Sequence, residues 1–291
     1  THIHWGGGTP SLLPAESLRL VVQHLNAAFD IGPDAEHAME LDPRTVTEDL
    51  AARLVEAGIN RASLGVQDFT PKVMEAIGRI QPYEVVADAV ARLRAVGIEA
   101  INFDLMYGLP FQTGDDVERT TRKSAELKPS RIAIFGYAHV PWFKVHQRLI
   151  DVSALPGAVE RMEQAERARM ALEELGYVTV GFDHFAHPDD SMAKAVREGT
   201  LKRNFQGYTT DTAPALIGFG AYWVRTITRS LRYSIAPTPS GVRITFGLFT
   251  TITEILPPGR VHAVEVDQSI LWRPFGWWGI TVNRLSGRGL A

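Results

Sequence analysis

Polar side chains and glycines recur wherever an apolar segment of this sequence ends. Carboxylates at such positions can accept ribose hydroxyls or an ammonium group, and glycines let the backbone approach a ligand closely. Because the carboxyl ends of parallel strands line the site of a (β/α) barrel, we expect these groups to share one ligand site. They are Gly6–Thr9, Glu40 with Asp42, Gln67 with Asp68, Asp104 with Tyr107, and Tyr137–His139.

Each group also has an ordinary structural interpretation. The run Gly6–Gly8 lacks the GxGxxG spacing of a dinucleotide site and the lysine of a P-loop, so it is either a tight turn or a ligand-contacting loop. Glu40 could be a solvated strand end, and Arg79 could be a surface helix residue. Asp104 is the stronger candidate, because an unpaired polar group inside the apolar segment INFDLMYG would cost about 1–3 kcal/mol.

Two later segments carry further candidate groups. DHFAHPDD (183–190) contains two histidines and three aspartates, but its proline followed by two aspartates is more typical of a helix N-cap. We therefore expect no metal site there. KRNFQGYTT (202–210) combines a basic pair with Phe205 and Gln206, and is either a polar loop or a clamp for a flat, anionic ligand.

Strand-like segments alternate with amphipathic helices from His2 to about residue 185. Six such strands predict a parallel sheet with helices between the strands. Polar groups at every strand end favour a barrel over a doubly wound open sheet, in which they would concentrate at one switch point. The predicted fold class is α/β, a partial TIM-type (β/α) barrel. Its strands are expected at 2–5, 37–41, 61–67, 101–108, 131–138 and 177–185.

The composition excludes several classes of protein. No apolar run is long enough to cross a bilayer and no signal-peptide pattern precedes Thr1, so we expect a soluble, cytoplasmic protein with no membrane partner. A formal net charge of −3 argues against nucleic-acid binding. With no cysteine among its 291 residues, the chain supplies neither disulfides nor cysteine ligands for zinc or iron–sulfur clusters.

The last seventy residues differ in composition from the rest. Residues 1–221 carry 30 acidic and 22 basic side chains, whereas residues 222–291 carry 3 acidic and 8 basic ones. All eight are arginine, and four of the six tryptophans lie in this segment. So abrupt a shift predicts a boundary near Ala221.

Taken together, the motifs resemble those of the oxygen-independent coproporphyrinogen III oxidases (dehydrogenases), radical SAM enzymes of haem biosynthesis. GGGTP alone would indicate only the superfamily, whereas DHFAHPDD with RNFQGYTT distinguishes the oxidase from the related haem chaperone. The likeness runs in order from Thr1 to about Ala221. It rests on WGGGTP, MELDPR, LGVQDF, RIQPYE, FDLMYGLPFQT, FGYAHVPW, DHFAHPDD and KRNFQGYTT.

The resemblance implies a [4Fe–4S] cluster, S-adenosylmethionine (SAM) in two copies, an electron donor and a monomeric protein. A radical from SAM would remove hydrogen from two propionate side chains of coproporphyrinogen III, which would then lose CO2 to give protoporphyrinogen IX. By the same likeness, Gly7, Gly8 and Thr9 contact SAM, Glu40 and Ala138 belong to one SAM site, Gln67, Arg79 and Asp104 belong to a second, and Phe205 and Gln206 lie near the site without an assigned role.

The sequence departs from the family in two places. The cluster-binding CxxxCxxC motif, which precedes GGGTP in the family, is not in this sequence. We therefore expect a barrel missing its first strand and a chain that is inactive as it stands. The likeness ends near residues 218–221, and the remainder is either a frame-shifted translation or a divergent β-rich domain, since VRITFGLFTTITEIL alternates like a strand pair.

The expected organisation is a partial radical SAM barrel at 1–176, a substrate- and SAM-proximal segment at 177–221, and a divergent tail at 222–291. Two alternatives to the oxidase remain open. One is the related haem chaperone, which would bind haem tightly. The other is a non-catalytic remnant whose open barrel edge would favour aggregation.

Overall fold

The computed structural model describes residues 1–7, 9–204, 207–213 and 216–218, together with the backbone of five later strands. The chain divides into two compact units. The first comprises Thr1–Asn204 and Tyr208–Asp211, and the second comprises Phe205–Gly207 and Thr212–Ala291.

A mixed sheet of seven strands forms the centre of the first unit. In chain order the strands are β1 His2–Trp5, β2 Glu36–Leu41, β3 Arg61–Gln67, β4 Ala100–Tyr107, β5 Arg131–Gly136, β6 Val178–Thr179 and β7 His184–Ala186. Their spatial order is β1-β2-β3-β4-β5-β7-β6, and each neighbouring pair from β1 to β5 is parallel. The predicted parallel arrangement of the first five strands is confirmed.

Helices connect the parallel strands and follow the last of them. They are α1 Ala15–Ala28, α2 Glu48–Glu56, α3 Pro71–Ala76, α4 Tyr83–Ala95, α5 Gly114–Glu126, α6 Ala158–Glu174 and α7 Ser191–Glu198. Local chemistry sets their ends: the Thr47 hydroxyl accepts a hydrogen bond from the Leu50 amide at 3.1 Å and so caps α2. Gly58 follows that helix with a φ of +79°, a conformation that favours glycine.

Alternation along the strands gives the sheet one apolar and one polar face. In β4, Ile101, Phe103 and Leu105 are buried against the helices, whereas Asn102 and Asp104 point to the opposite, half-buried face. The apolar face packs on side chains from α1, α2, α4, α5 and α6 in one core cluster. The core anchors the strands, and the polar face is free to carry a site.

The sixth strand differs from the sequence prediction. Residues 177–185 do not form one parallel strand. They contain β6 and the first residues of β7, and these two strands pair as an antiparallel hairpin. Strand β7 also runs antiparallel to β5. Gly181 divides the two strands with a φ of +125°, and a Cβ there would lie 2.2 Å from the Tyr208 ring. A side chain at this bend would thus collide with a residue far along the chain, and the local pattern of YVTVGFDHF does not reveal that contact.

The described residues of the second unit lie mainly in β-strands. Strands β11 Tyr233–Thr238, β12 Gly241–Phe246 and β13 Ile252–Leu256 form an antiparallel sheet, which confirms the strand pair expected in VRITFGLFTTITEIL. Another sheet contains β10 Ile217–Gly218, β14 Val261–Asp267 and β15 Gly279–Arg284. The short strands β8 Lys202–Asn204 and β9 Gly207–Thr209 pair with each other and, except for Gly207, belong to the first unit. In the described part of the chain, no helix is long and apolar enough to span a membrane.

Candidate functional site

Glu40 lies on the polar face of β2 and is held by the strand and turn before it. Nε2 of His4 on β1 donates a hydrogen bond to Oε1 of Glu40 at 3.1 Å. The backbone N–H of Gly7 makes a second contact with this carboxylate. The bond from His4 is the largest of the effects that together lower the pKa of Glu40, against the opposing effect of burial. Glu40 is therefore an oriented carboxylate that stays ionised.

The position of Glu40 explains one of the glycines in the run Gly6–Gly8. A Cβ on Gly6 would lie 2.7 Å from Oε1 of Glu40 and 3.0 Å from Nε2 of His4. Gly7 has open space around its Cα but a φ of +78°, which side-chain-bearing residues rarely adopt. The turn thus needs glycine at position 6 because Glu40 and His4 lie too close for a side chain, and at position 7 because of its positive φ. Neither requirement depends on a ligand.

Asp104 is the most strongly perturbed acid on this face. The Ser63 hydroxyl donates to its carboxylate at 3.2 Å. Burial raises the pKa of Asp104 to about 6, and the nearby charge of Glu40 acts in the same direction. His184 and His4 act in the opposite direction and lower the pKa of Asp104. A buried carboxyl with one neutral hydrogen-bond donor is suited to a ligand that brings a positive charge.

Gln67 and Arg79 meet at the carboxyl end of β3. Nη2 of Arg79 donates to the Gly65 carbonyl at 2.9 Å and lies 3.6 Å from Oδ1 of Asp42. A Cβ on Gly65 would lie 3.0 Å from Nε2 of Gln67 and 3.4 Å from Nη2 of Arg79. Gln67 itself has a φ of +69°, at a shift of register between β3 and β4. Within the described residues, the buried Nε of Arg79 has no hydrogen-bond partner.

Asp68, grouped with Gln67 in the sequence analysis, points the other way. Its carboxylate is buried, accepts hydrogen bonds from the Thr70 amide at 2.5 Å and from Nε2 of Gln112 at 2.7 Å, and has a pKa raised by burial. Asp68 therefore ties the end of β3 to the loop after β4 and is not part of the polar face.

The remaining predicted residues make local contacts or cannot be placed. Thr9 precedes a short 3-10 turn, and its carbonyl accepts from the Leu12 amide at 3.1 Å. Ala138 follows β5, and its carbonyl accepts from Nε2 of Gln147 at 3.0 Å. Gly8, Phe205 and Gln206 lie outside the described residues. The polar face thus brings together Glu40, Gln67, Arg79 and Asp104, with Gly7 at its margin.

A second polar cluster, which the sequence analysis missed, lies near the amino ends of the strands. Arg131 contacts Asp190 at 2.8 Å and Glu36 at 3.1 Å, while Arg61 contacts the same two acids at 3.3 Å and 2.9 Å. Asp190 also caps α7 by accepting from the Met192 amide. The helix-cap interpretation of DHFAHPDD is confirmed, and among the described residues no acid–histidine cluster could hold a metal ion.

The comparisons with known proteins agree with this geometry. Residues 1–123 match the family model for the radical SAM superfamily. The parallel αβ sheet with polar groups along one face is therefore part of a radical SAM domain.

Within that superfamily, the chain is related to the oxygen-independent coproporphyrinogen III oxidases. It is 53% identical over 220 residues to the protein of that name from Bradyrhizobium diazoefficiens. The aligned residues make up 76% of this chain and 49% of the relative. The solved structure of coproporphyrinogen III oxidase from Escherichia coli, a radical SAM enzyme, matches with a TM-score of 0.69 and 40% identity, over 72% of this chain and 49% of that one. The chain thus spans about half the length of these relatives.

A third comparison reaches the segment after Ala221. The oxidase from Paracoccus denitrificans is 42% identical over 274 residues, which is 94% of this chain and 59% of the relative. That match leaves only 17 residues of the chain outside it, so it includes most of the tail. The likeness therefore extends further than residue 221 in this relative, and translation out of frame stays a prediction for the tail.

Proposed function

We propose that this chain forms the SAM-binding half of an oxygen-independent coproporphyrinogen III oxidase that acts in the cytoplasm. One observation carries the proposal: the chain is 53% identical over 220 residues to an oxidase of that name. The polar face supports it, because Glu40, Gln67 and Asp104 lie on neighbouring parallel strands and the Arg79 guanidinium bonds to Gly65 of β3. The substrate would be coproporphyrinogen III, a tetrapyrrole with propionate side chains.

The residues of the polar face fit SAM. Its ammonium and sulfonium groups are cationic, and the buried carboxyl of Asp104 has no cation in contact among the described residues. Its carboxylate and ribose hydroxyls can accept hydrogen bonds, and the buried Nε of Arg79 is a donor whose partner is missing in the described part of the chain. SAM could supply both missing partners: a cationic group for the Asp104 carboxyl and a hydrogen-bond acceptor for Nε of Arg79.

Each side chain then has a defined task in binding. Glu40, oriented by His4 and Gly7, receives the ammonium group or the ribose hydroxyls. Gln67, Arg79 and Asp104 belong to the site of a second SAM: Asp104 lies opposite its positive charge, while Gln67 and Arg79 fix its polar end. When bound and cleaved, SAM supplies the radical that removes hydrogen from a propionate side chain of the substrate. The protein residues hold and orient the ligand before that event.

The [4Fe–4S] cluster differs from SAM in this respect, because no residue of this chain can bind its iron atoms as the family's cysteines would. The sequence contains no cysteine, so none of its 291 residues offers a thiolate to iron. We therefore propose that these 291 residues alone do not convert coproporphyrinogen.

Anaerobic reconstitution tests both parts of the proposal. The chain would be incubated with iron and sulfide, beside an extended version that carries a CxxxCxxC-bearing segment at its amino end and the in-frame carboxyl-terminal domain of the family. We expect charge-transfer absorbance, SAM cleavage and formation of protoporphyrinogen IX in the extended version only. The oxidase proposal fails if the extended version binds a cluster and cleaves SAM but leaves coproporphyrinogen III unchanged.

A further inference from the structure

The loop after β5 exposes an unusual combination of side chains. Residues 141–148 read PWFKVHQR and contain two aromatic residues and three basic or titratable ones with no acid among them. Trp142 is 76% exposed and Phe143 is 74% exposed. Large aromatic side chains this open are seldom left without a binding role when they lie together.

This loop is nevertheless held in a defined conformation. Gln147 is buried beneath it, accepts from the Val140 amide at 2.5 Å and donates to the Ala138 carbonyl at 3.0 Å. The Lys144 amide donates to the Val140 carbonyl at 2.8 Å, and residues Val145–Leu149 form a 3-10 turn. The exposure of Trp142 and Phe143 is therefore imposed by a loop that is fixed at its base.

The charges on the loop are also uncompensated. Most exposed arginines of this unit pair with a neighbouring carboxylate, as Arg53 does with Asp49 and Arg169 does with Glu166. In the described part of the chain, Lys144 and Arg148 have no such partner: Nζ of Lys144 lies 5.3 Å from the Phe143 ring centroid, and Nε of Arg148 donates to the Pro141 carbonyl at 3.4 Å. Cations beside open aromatic faces are complementary to a flat, apolar ligand with peripheral carboxylates.

The position of the loop ties this surface to the site. Its first residue, Pro141, follows the end of β5 by five positions, and β5 is the neighbour of the strand that carries Asp104. The Phe111 amide donates to the Ala154 carbonyl at 2.8 Å, so the loops after β4 and β5 are joined. A ligand resting on Trp142 and Phe143 would lie at the edge that carries the SAM-binding groups.

We propose that the loop 141–148 is the platform for the tetrapyrrole, with Trp142 and Phe143 packing on its pyrrole rings and Lys144 and Arg148 receiving propionate groups. This inference rests on the proposed function and adds the residues that recognise the substrate. It commits to an anionic tetrapyrrole as the occupant, because a purely apolar partner would leave the two cations without a counterpart.

Binding of coproporphyrin III, the fluorescent oxidised analogue, tests the platform without a cluster. The chain would be titrated into the porphyrin and read by fluorescence anisotropy. Replacing both aromatics, Trp142→Ala with Phe143→Ala, should weaken binding about tenfold. Replacing both cations, Lys144→Ala with Arg148→Ala, should weaken binding about tenfold for coproporphyrin III and less for protoporphyrin IX, which has two carboxylates instead of four.

Matched controls come from the other end of the same unit. Leu175→Ala removes an exposed apolar side chain after α6, and Lys194→Ala removes an exposed cation from α7. Both should bind coproporphyrin III as the unmodified chain does. Circular dichroism of every variant would show that the fold is retained.

Three results would overturn the platform. They are equal binding by loop variants and controls, equal loss of both porphyrins in the cation variant, and absence of porphyrin binding by a chain that binds SAM. The last result would leave SAM binding intact, so failure of the platform is distinguishable from failure of the proposed function, in which neither ligand binds.

Discussion

Nε2 of His4 lies 3.1 Å from Oε1 of Glu40, and a Cβ on Gly6 would lie within 3.0 Å of both side chains. The pair joins two neighbouring parallel strands, since His4 is on β1 and Glu40 is on β2. A histidine outside the recognised motif residues thus holds the carboxylate that we propose as a SAM ligand, and the glycine turn leaves room for the pair.

Removing His4 should weaken SAM binding. Without the donor, Glu40 loses its orientation and the effect that lowers its pKa most, so His4→Ala should reduce SAM affinity about tenfold. His4→Gln keeps a hydrogen-bond donor and should recover most of that loss. Isothermal titration calorimetry would measure both variants. A purely structural role for His4 would instead give reduced stability with unchanged affinity in both.

A methyl group at Gly6 should have a similar effect for a different reason. In Gly6→Ala the new Cβ would displace the Glu40 carboxylate, 2.7 Å away, and SAM affinity should fall about tenfold. Gly32→Ala is the matched control, because nothing lies within 4 Å of its Cβ position. Equal SAM affinity in the two variants would show that the close approach of Gly6 to Glu40 does not matter for the ligand.

Asp104 should make the stability of the unliganded protein depend on pH. Burial raises its pKa from 3.8 to about 6, so the folded state holds the proton more tightly than the unfolded state does. Stability contributed by this group is therefore lost as pH rises from about 4 to about 6. Asp104→Asn should match the wild type near pH 4 and exceed it by about 2–3 kcal/mol at pH 8.

Urea unfolding at the two pH values would measure that difference, and Asp34→Asn, at an exposed position, is the control. Glu40 favours the protonated form of Asp104, whereas His184 and His4 favour the ionised form, so each variant should keep all three residues. An advantage for Asp104→Asn that is the same at both pH values would contradict the assignment of a raised pKa.

The buried cluster of Arg61, Arg131, Glu36 and Asp190 should be essential for folding of the first unit. Only 3% of the Asp190 side chain is exposed, so Asp190→Ala would leave two buried guanidinium groups with one acid between them, at a cost of about 3–5 kcal/mol. Asp49→Ala breaks an exposed pair with Arg53 and should cost less than about 1 kcal/mol. Thermal unfolding would compare them. Similar losses would mean that the buried network contributes no more than a surface pair.

The sequence predicted the parallel strands and the edge at which the polar groups gather, because both follow from local alternation of residue types. The same alternation in HIHW places His4 on the face of Glu40, so the position of His4 could also have been predicted from the sequence. Asp68 was grouped with Gln67, although successive residues of a strand point to opposite faces, and its carboxylate bonds to Thr70 and Gln112 instead. The pairing of Arg61 with Asp190 joins residues 129 positions apart, and no local pattern contains that information.

SAM binding by the chain itself is the most direct test of the proposed site, since it requires no cluster. Equilibrium dialysis with labelled SAM would compare the unmodified chain with Arg79→Ala, Asp104→Asn and the control Asp115→Asn, whose side chain is exposed on α5. We predict saturable binding that Arg79→Ala and Asp104→Asn weaken at least about tenfold and that Asp115→Asn leaves unchanged. A folded chain that binds no SAM, or that binds it equally well without Asp104 and Arg79, would contradict the account.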